Sequence, residues 1–334
     1  MDEARYLPPG QIETRRFPIV GEREPAPDFD PSEWRLEIVG EVADPVTYRL
    51  DELIQAASSE LVFDIHCVTG WTRFDSRWTG LPLAELLGRA KPGPDARFVS
   101  FETYSSRAHH TSLPLELAMQ RCWIVHAFEG RPLPDEHGGP VRVVTPGRYF
   151  YKSPKWVRRV VLLREDRKGW WETHSSYHNN ADPASGEQRF TTGSIRPDQL
   201  RRFLEATSYD KYRGKVLLGL DLRSWSPADR NLRRLYLKNC VLTGVDLSGV
   251  DLRNSNLSLS DLSGADLRRA DLSGSDLEGA DFSGADLTGA NLADTALSAT
   301  RFYGPGGEAT LTGANFDGSW GLVEQQEAYV DRRR

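Results

Sequence analysis

The chain has 334 residues, a formal charge of −6, an isoelectric point near 5.7 and three cysteines. No apolar run reaches the roughly 18 residues a membrane helix needs, the first residues hold no apolar signal core, and net acidity disfavours direct nucleic-acid binding, which calls for a basic face. Sparse cysteines suit a reducing compartment without structural disulfides, so a cytoplasmic location is expected. Trp34, Trp71, Trp78, Trp123, Trp156, Trp170 and Trp171 all precede residue 200, beside most of the prolines, and this shift in composition implies two domains.

In chain order, Arg15-Arg16 is followed by Phe-Pro-Ile-Val-Gly-Glu-Arg-Glu-Pro, too short and too charged for a twin-arginine signal. Leu61 to His66 reads as a strand, and Cys67 stands where that strand gives way to a Thr69-Gly70-Trp71 turn. A side chain at such a junction is both rigidly held and offered to a ligand. Cys67 makes a poor zinc ligand, because no second Cys or His stands at C-x₂₋₄-C spacing. His66 faces the opposite side of the strand and reads as a core or supporting histidine. The Arg107-Ala108-His109-His110 segment could meet an anion but reads first as an exposed turn before a helix start at Leu113-Pro114, and Cys122 as buried filler at the start of an apolar strand.

Arg142, Lys152, Ser153 and Lys155 bring guanidinium, ammonium and hydroxyl groups to either side of a Pro146-Gly147 turn. Such a set suits a phosphate, the alternative being a solvated basic strand and loop; Trp156 and Val157 beside them imply partial burial. His174 and His178 have i, i+4 spacing, but without a Glu-x-x-His context polar packing is preferred. Residues 182–186 are loop-forming, and 197–206 reads as a short amphipathic helix within a linker spanning 191–214.

Several of these segments carry a resemblance. His66-Cys67-Val68-Thr69-Gly70-Trp71, Trp78-Thr79-Gly80-Leu81-Pro82-Leu83, the run Leu133 to Pro146, the run Tyr149 to Val157, and Tyr177-His178-Asn179 with Asp182-Pro183 stand in the order found in sulfite-oxidase-like molybdopterin oxidoreductases. The chain resembles the cytoplasmic bacterial branch of that family over roughly residues 6–190. The resemblance implies an α+β sulfite-oxidase-type molybdopterin-binding domain over residues 1–190, with Mo-molybdopterin (the molybdenum cofactor). It implies Cys67 as the thiolate ligand of the metal, which a soft ligand suits, and Thr103 as a catalytic neighbour of metal and pterin. His137 falls where relatives carry Asn as a pterin contact, and Arg142, Lys152, Ser153, Pro154 and Lys155 fall in the segment that binds the cofactor phosphate. First pterin contacts would lie around Arg15 to Ile19, where the residues are not identical. The implied reaction is oxygen-atom transfer on a small-molecule substrate, of sulfite oxidase or sulfoxide reductase type. No haem or flavin segment is evident, so electrons would pass to or from a separate partner.

From Leu232 to Phe302, fifteen positions in steps of five are all Leu except Phe282 and Phe302. Positions two before are small or β-branched over most of the run, and Asp or Asn usually stands between. A period of five fits neither helix nor strand, so the chain must turn a corner every five residues and stack. Ala265-Asp266-Leu267-Arg268-Arg269 and Ala285-Asp286-Leu287-Thr288-Gly289 resemble the pentapeptide-repeat family. That resemblance implies a right-handed quadrilateral β-helix, placed here at 215–320, with an imperfect first coil over 215–231 and a polar cap or tail over 321–334. After Phe302 the beat slips to Leu311 and Phe316, with a Gly304-Pro305-Gly306-Gly307 loop between.

Asp and Glu outnumber Lys and Arg by 14 to 9 over residues 221–320. The acidity reads first as turn chemistry, since Asp and Asn side chains bond nearby amides. The solenoid is expected to be a docking or self-association module appended to an enzyme. The alternative is a non-catalytic interaction protein whose acidic β-helix binds a partner or imitates nucleic acid; the retained Cys67 favours the enzyme.

Overall fold

The structure, a computed structural model, describes residues 5–8, 11–19, 26–28, 30–56, 59–175, 177–184 and 197–334. It separates into two compact units, one of Met1–Arg15, Gly21–Val68 and Thr72–Thr191, the other of Arg16–Val20, Thr69–Trp71 and Thr192–Arg334. The boundary expected at 190/191 lies outside the described residues.

The first unit runs β1 Ile12–Glu13, β2 Arg35–Gly40, β3 Val46–Arg49, α1 Leu50–Gln55, β4 Ser59–His66, β5 Trp71–Pro82, α2 Leu83–Ala90, β6 Phe98–Thr103, β7 His110–Pro114, α3 Leu115–Arg121, β8 Trp123–Phe128, β9 Arg131–Pro132, β10 Arg142–Val144, β11 Val157–Leu163 and α4 Trp170–His174. Strands β1-β5-β8-β10 form one sheet, with β4 also on β5 and β9 on β8; β3-β2-β11-β6-β7 form the other. Sequence pattern explains the layers. In β2, Leu36 and Ile38 are buried and alternate with part-exposed neighbours, the period of a strand with one face inward. In α2, Leu83, Leu86, Leu87 and Ala90 recur at helical spacing and are all buried. These side chains meet Val99 and Phe101 of β6, Val160 and Leu162 of β11, and Ile124 of β8 in one core, each large apolar side chain contributing about 1.5–3 kcal/mol. This is an α+β arrangement.

In the second unit backbone bridges join Asp246 to Asp266, Asp266 to Asp286, and Asp251 to Asp271, all parallel and twenty residues apart. One coil therefore spans four pentapeptides. Leu247, Leu267 and Leu287 are buried, as are Val245, Ala265 and Ala285 two residues before. The intervening Asp246 accepts the Ser248 amide at 2.9 Å and the Ser248 hydroxyl at 2.7 Å, holding the corner. These bonds, the hydroxyl's first, bring the Asp246 carboxyl down to about 2. Where Ser or Thr replaces Ala, the hydroxyl bonds inside the stack: Ser260 Oγ donates to the Leu237 carbonyl at 2.6 Å and accepts the Cys240 amide at 2.9 Å. Cys240 is buried there, its thiol pushed up to about 12.

Three segments differ from the sequence reading. The helix α5, Pro197–Leu204, is more than part of a linker: Phe203 and then Tyr209 lie in the solenoid core beside Trp225, whose indole donates to the Tyr209 hydroxyl at 2.8 Å. Residues after Trp320 are no polar tail either, since α6, Glu324–Arg333, buries Gln326, Tyr329 and Val330. A stack of coils exposes apolar ends, and aromatic residues on these two helices cover them. Third, the Gly-Pro loop after Phe302 is a small hairpin, Tyr303–Gly304 paired with Gly307–Glu308.

Candidate active site

His66 and Thr72 form the last pair of the β4–β5 ladder, so Cys67 is the first residue released from it. Its side chain is buried and free of any disulfide. Thr72 sits behind it with Gln11 and His66: His66 Nδ1 lies 2.9 Å from Thr72 Oγ1, which donates to Gln11 Oε1 at 2.9 Å, while Gln11 Nε2 donates to the Cys67 carbonyl at 2.9 Å. Burial drives the His66 imidazole below its ordinary range, so it is a neutral core histidine. Beside Cys67, Val68 packs with Tyr149, Tyr177 and Ala181 in a buried cluster flanked by Tyr151 and Trp171.

A second group of residues is assembled by two glycines. A Cβ on Gly138 would stand 2.8 Å from Lys155 Cβ, and one on Gly139 only 2.2 Å from the Leu133 carbonyl oxygen, so the 133–139 loop can close on residues 153–156 only with glycine at both places. Trp156 completes the closure with φ at +52° and its indole donating to the Asp135 carbonyl at 2.8 Å. His137, Arg142, Ser153, Pro154 and Lys155 are thereby brought together.

Arg142 is 2% exposed. Its guanidinium donates to the carbonyls of His137 at 2.7 Å, Val143 at 3.4 Å and Ser153, and lies 4.3 Å from the centre of the Phe150 ring. No carboxylate pairs with it among the described residues, and burial alone lowers it to about 9. Lys155 Nζ donates to the Glu136 carbonyl at 2.7 Å. Burial first, then the charges of Arg142 and Lys155, press His137 down to about 3, so its ring stays neutral between two cations. Ser153 Oγ accepts the Thr145 amide at 3.0 Å. The buried charge of Arg142, answered only by neutral carbonyls, leaves a strong attraction for an anion. The donor set therefore fits a cofactor that ends in a phosphate.

Lys152 departs from its expected role. It closes the 3-10 turn Phe150–Lys152. Its ammonium is fully buried, paired with Glu172, and donates to the Ser112 carbonyl at 2.9 Å and Asn179 Oδ1 at 3.1 Å. All three donors are spent internally, so Lys152 braces the fold behind the cradle and has none for a phosphate. Thr103, at the end of β6, donates its hydroxyl to the His109 carbonyl at 2.8 Å and so fixes the 103–109 loop. That loop is not a plain exposed turn: the His109 ring is stacked 5.4 Å from Trp171 and meets Trp170 edge-on at 4.6 Å. His174 and His178 do not pair, because α4 ends at His174, which stacks on Trp170 at 4.5 Å. Cys122 is core filler, with its thiol at about 12. Around Arg15 to Ile19, the Arg15 carbonyl accepts from Arg73 Nε at 3.1 Å.

No group of three or more His, Cys, Asp or Glu side chains among the described residues could hold a metal by itself. A lone thiolate at Cys67 is sufficient where the cofactor brings further sulfur ligands. The pattern of the oxidoreductase molybdopterin binding domain matches residues 23–171, and pentapeptide repeats match 231–269 and 260–304. A Bacillus subtilis (strain 168) protein described as "Uncharacterized oxidoreductase YuiH" is 33% identical over 191 residues, covering 57% of this chain and 94% of the relative.

This chain belongs to the molybdopterin-binding oxidoreductase family. It is a molybdenum-dependent oxidoreductase with Mo-molybdopterin as cofactor, carrying a pentapeptide-repeat domain. Within the family, the protein-methionine-sulfoxide reductase catalytic subunit MsrP of Burkholderia mallei is 26% identical over 221 residues, 58% of this chain and 66% of MsrP. The sulfane dehydrogenase SoxCD from Paracoccus pantotrophus is a solved structure of similar kind, with 23% identity and a TM-score of 0.42 over 46% of this chain and 43% of that one.

Gln11, Thr72 and Glu172 escape a reading of the sequence. Glu172 had one signal, an acid flanked by Trp170, Trp171 and Thr173 in a segment otherwise suited to burial. Gln11 had none, lying 56 residues from the carbonyl it holds.

Proposed function

We propose that this molybdoenzyme performs oxygen-atom transfer on a small sulfur-containing substrate, in the manner of a sulfite oxidase or sulfoxide reductase. The observation that carries the reading is the buried thiol of Cys67, released from its strand beside an aromatic wall, in the same unit as an anion cradle with uncompensated positive charge. The relative named as a protein-methionine-sulfoxide reductase supports the sulfur class. When bound, the cofactor supplies two-electron redox chemistry and exchangeable oxygen; the protein supplies position and charge. Cys67 would hold the metal. Lys155, Ser153 and the Pro154 segment would bind the phosphate, with Arg142 keeping the potential positive and fixing both loops. Neutral His137 would offer the pterin a hydrogen bond, and Thr103 would set the loop that carries His109 toward the substrate side.

Electrons would be exchanged with a separate protein. The second unit would be a right-handed, four-sided β-helix that docks a partner or a second copy. A cytoplasmic setting is in keeping with three buried cysteines that form no disulfide. No helix among the described residues is long and apolar enough to cross a membrane. The test is Cys67→Ser in a host that makes the cofactor. Molybdenum content should fall, or the thiolate-to-metal absorption bands should vanish, with the fold unchanged by circular dichroism. Full loading with unaltered bands would remove Cys67 from the metal.

A further inference from the structure

The carbonyl of Cys67 follows directly on the last β4–β5 pair, and its direction is tied to ψ of the residue whose thiol matters. It accepts from the Gln11 side chain of the amino-terminal segment. Cys67, His66, Thr72 and Gln11 are all buried, so each polar atom must find a partner within the protein.

The chain of bonds has one consistent direction. A carbonyl only accepts, so the Gln11 amide must turn Nε2 toward Cys67 and Oε1 toward Thr72. The single hydroxyl proton of Thr72 is then committed to Gln11 Oε1. Its oxygen, 2.9 Å from His66 Nδ1, is left to accept, and His66 must carry its proton on Nδ1. Mere packing would be served by apolar side chains, whereas four groups aligned in sequence fix one geometry.

We propose that Gln11 is the positioning residue for Cys67, and that the Gln11–Thr72–His66 relay sets the direction in which the thiolate is presented to the molybdenum. The proposal rests on Cys67 as the metal ligand. Groups that orient a ligand from behind typically change metal affinity or activity by about 10–100-fold when removed.

The test combines two variants with two readouts. Nitrogen-15 NMR of the cofactor-free protein should find His66 protonated on Nδ1, and in Gln11→Met the released Thr72 hydroxyl should donate to His66 and move that proton to Nε2. In the loaded protein, Gln11→Met should displace the thiolate-to-molybdenum absorption band and shorten metal retention during dialysis by about 10-fold or more. Thr72→Val should reproduce the displacement and Thr72→Ser restore the parent spectrum, which covers the case in which Gln11→Met fails to fold. An Nε2 tautomer in the parent overturns the relay. A tautomer change with unaltered band and retention overturns the positioning role. Cys67→Ser, measured in parallel, separates these failures from that of the underlying reading: if it keeps its metal and its band, the ligand assignment falls and the proposal with it, whatever the tautomer shows.

Discussion

Ser255, Ser260, Ser275 and Thr300 of the solenoid and His137, Arg142 and Lys152 of the molybdopterin unit are polar residues withdrawn from water, but they end differently. Each solenoid hydroxyl donates to a carbonyl 23 residues back, as Ser255 does to Leu232 and Ser275 to Leu252. These four hydroxyls are thus satisfied within the stack itself. In the molybdopterin unit Lys152 meets Glu172 and is neutralised, whereas Arg142, scarcely further along the same fold, meets only carbonyls. A buried cation with a carboxylate partner is a brace; one without is an invitation to an anion. The contrast separates structural from cofactor-facing residues more sharply than residue type does.

The comparison can be broken from the solenoid side first. Leu267→Asp would bury an unpaired charge between coils and should cost about 5 kcal/mol or more, while Asp266→Ser, on the corner outside, should change stability by about 0.5 kcal/mol. Denaturant melts of the two variants read the difference. Damage in a repeat array is local, so limited proteolysis of Leu267→Asp should release a fragment of roughly residues 1–200 that retains pterin. Degradation of that fragment would make the halves one cooperative unit.

Lys152→Met leaves the fully buried Glu172 without its cation, and breaking such a pair costs about 3–5 kcal/mol. Stability should fall while the cofactor content of the surviving folded protein stays near the parent value. Loss of cofactor at unchanged stability would return Lys152 to the phosphate site.

Lys155→Ala should act in the opposite sense. A hydrogen bond to a charged group contributes about 1.5–3 kcal/mol, and other donors would share the same phosphate, so retention should drop partly while thermal stability barely moves. Pterin content after gel filtration is the measurement. Equal retention would place Lys155 on the solvated surface.

How far the fold could be read in advance follows from the range of the forces. The five-residue beat is local, and it located the coils, the Asp corners and the slip after Phe302. A cap was one reading of 321–334, but the amino-terminal cap and the apolar contacts of both were not legible, because Phe203 and Tyr329 are single aromatic residues in polar segments whose burial depends on coils far away in sequence. In the candidate site, Cys67 stood out by its place at a strand end, and the Arg142–Lys155 group through the family resemblance. The inward placement of Lys152 did not, since its partners Ser112, Glu172 and Asn179 lie 20 to 40 residues away along the chain. Gln11 was invisible for the same reason as the caps: its partner is distant along the chain, and an isolated Gln carries no pattern.

Bridges up to Asp281–Arg301 join residues twenty apart, while Asp286–Thr310, Asn291–Asn315 and Ala296–Trp320 join residues twenty-four apart. The four additional residues are taken up wholly in the hairpin around Pro305, and the coils on both sides keep their pairing. One corner of the array is therefore indifferent to chain length. The entropy of closing a loop grows only slowly as residues are added, so the four residues of this corner cost the stack little, while Gly304 and Gly306 let the hairpin lie close against Ser283 and Gly284. Through such a corner evolution can write new recognition onto a surface whose ruled lines stay fixed.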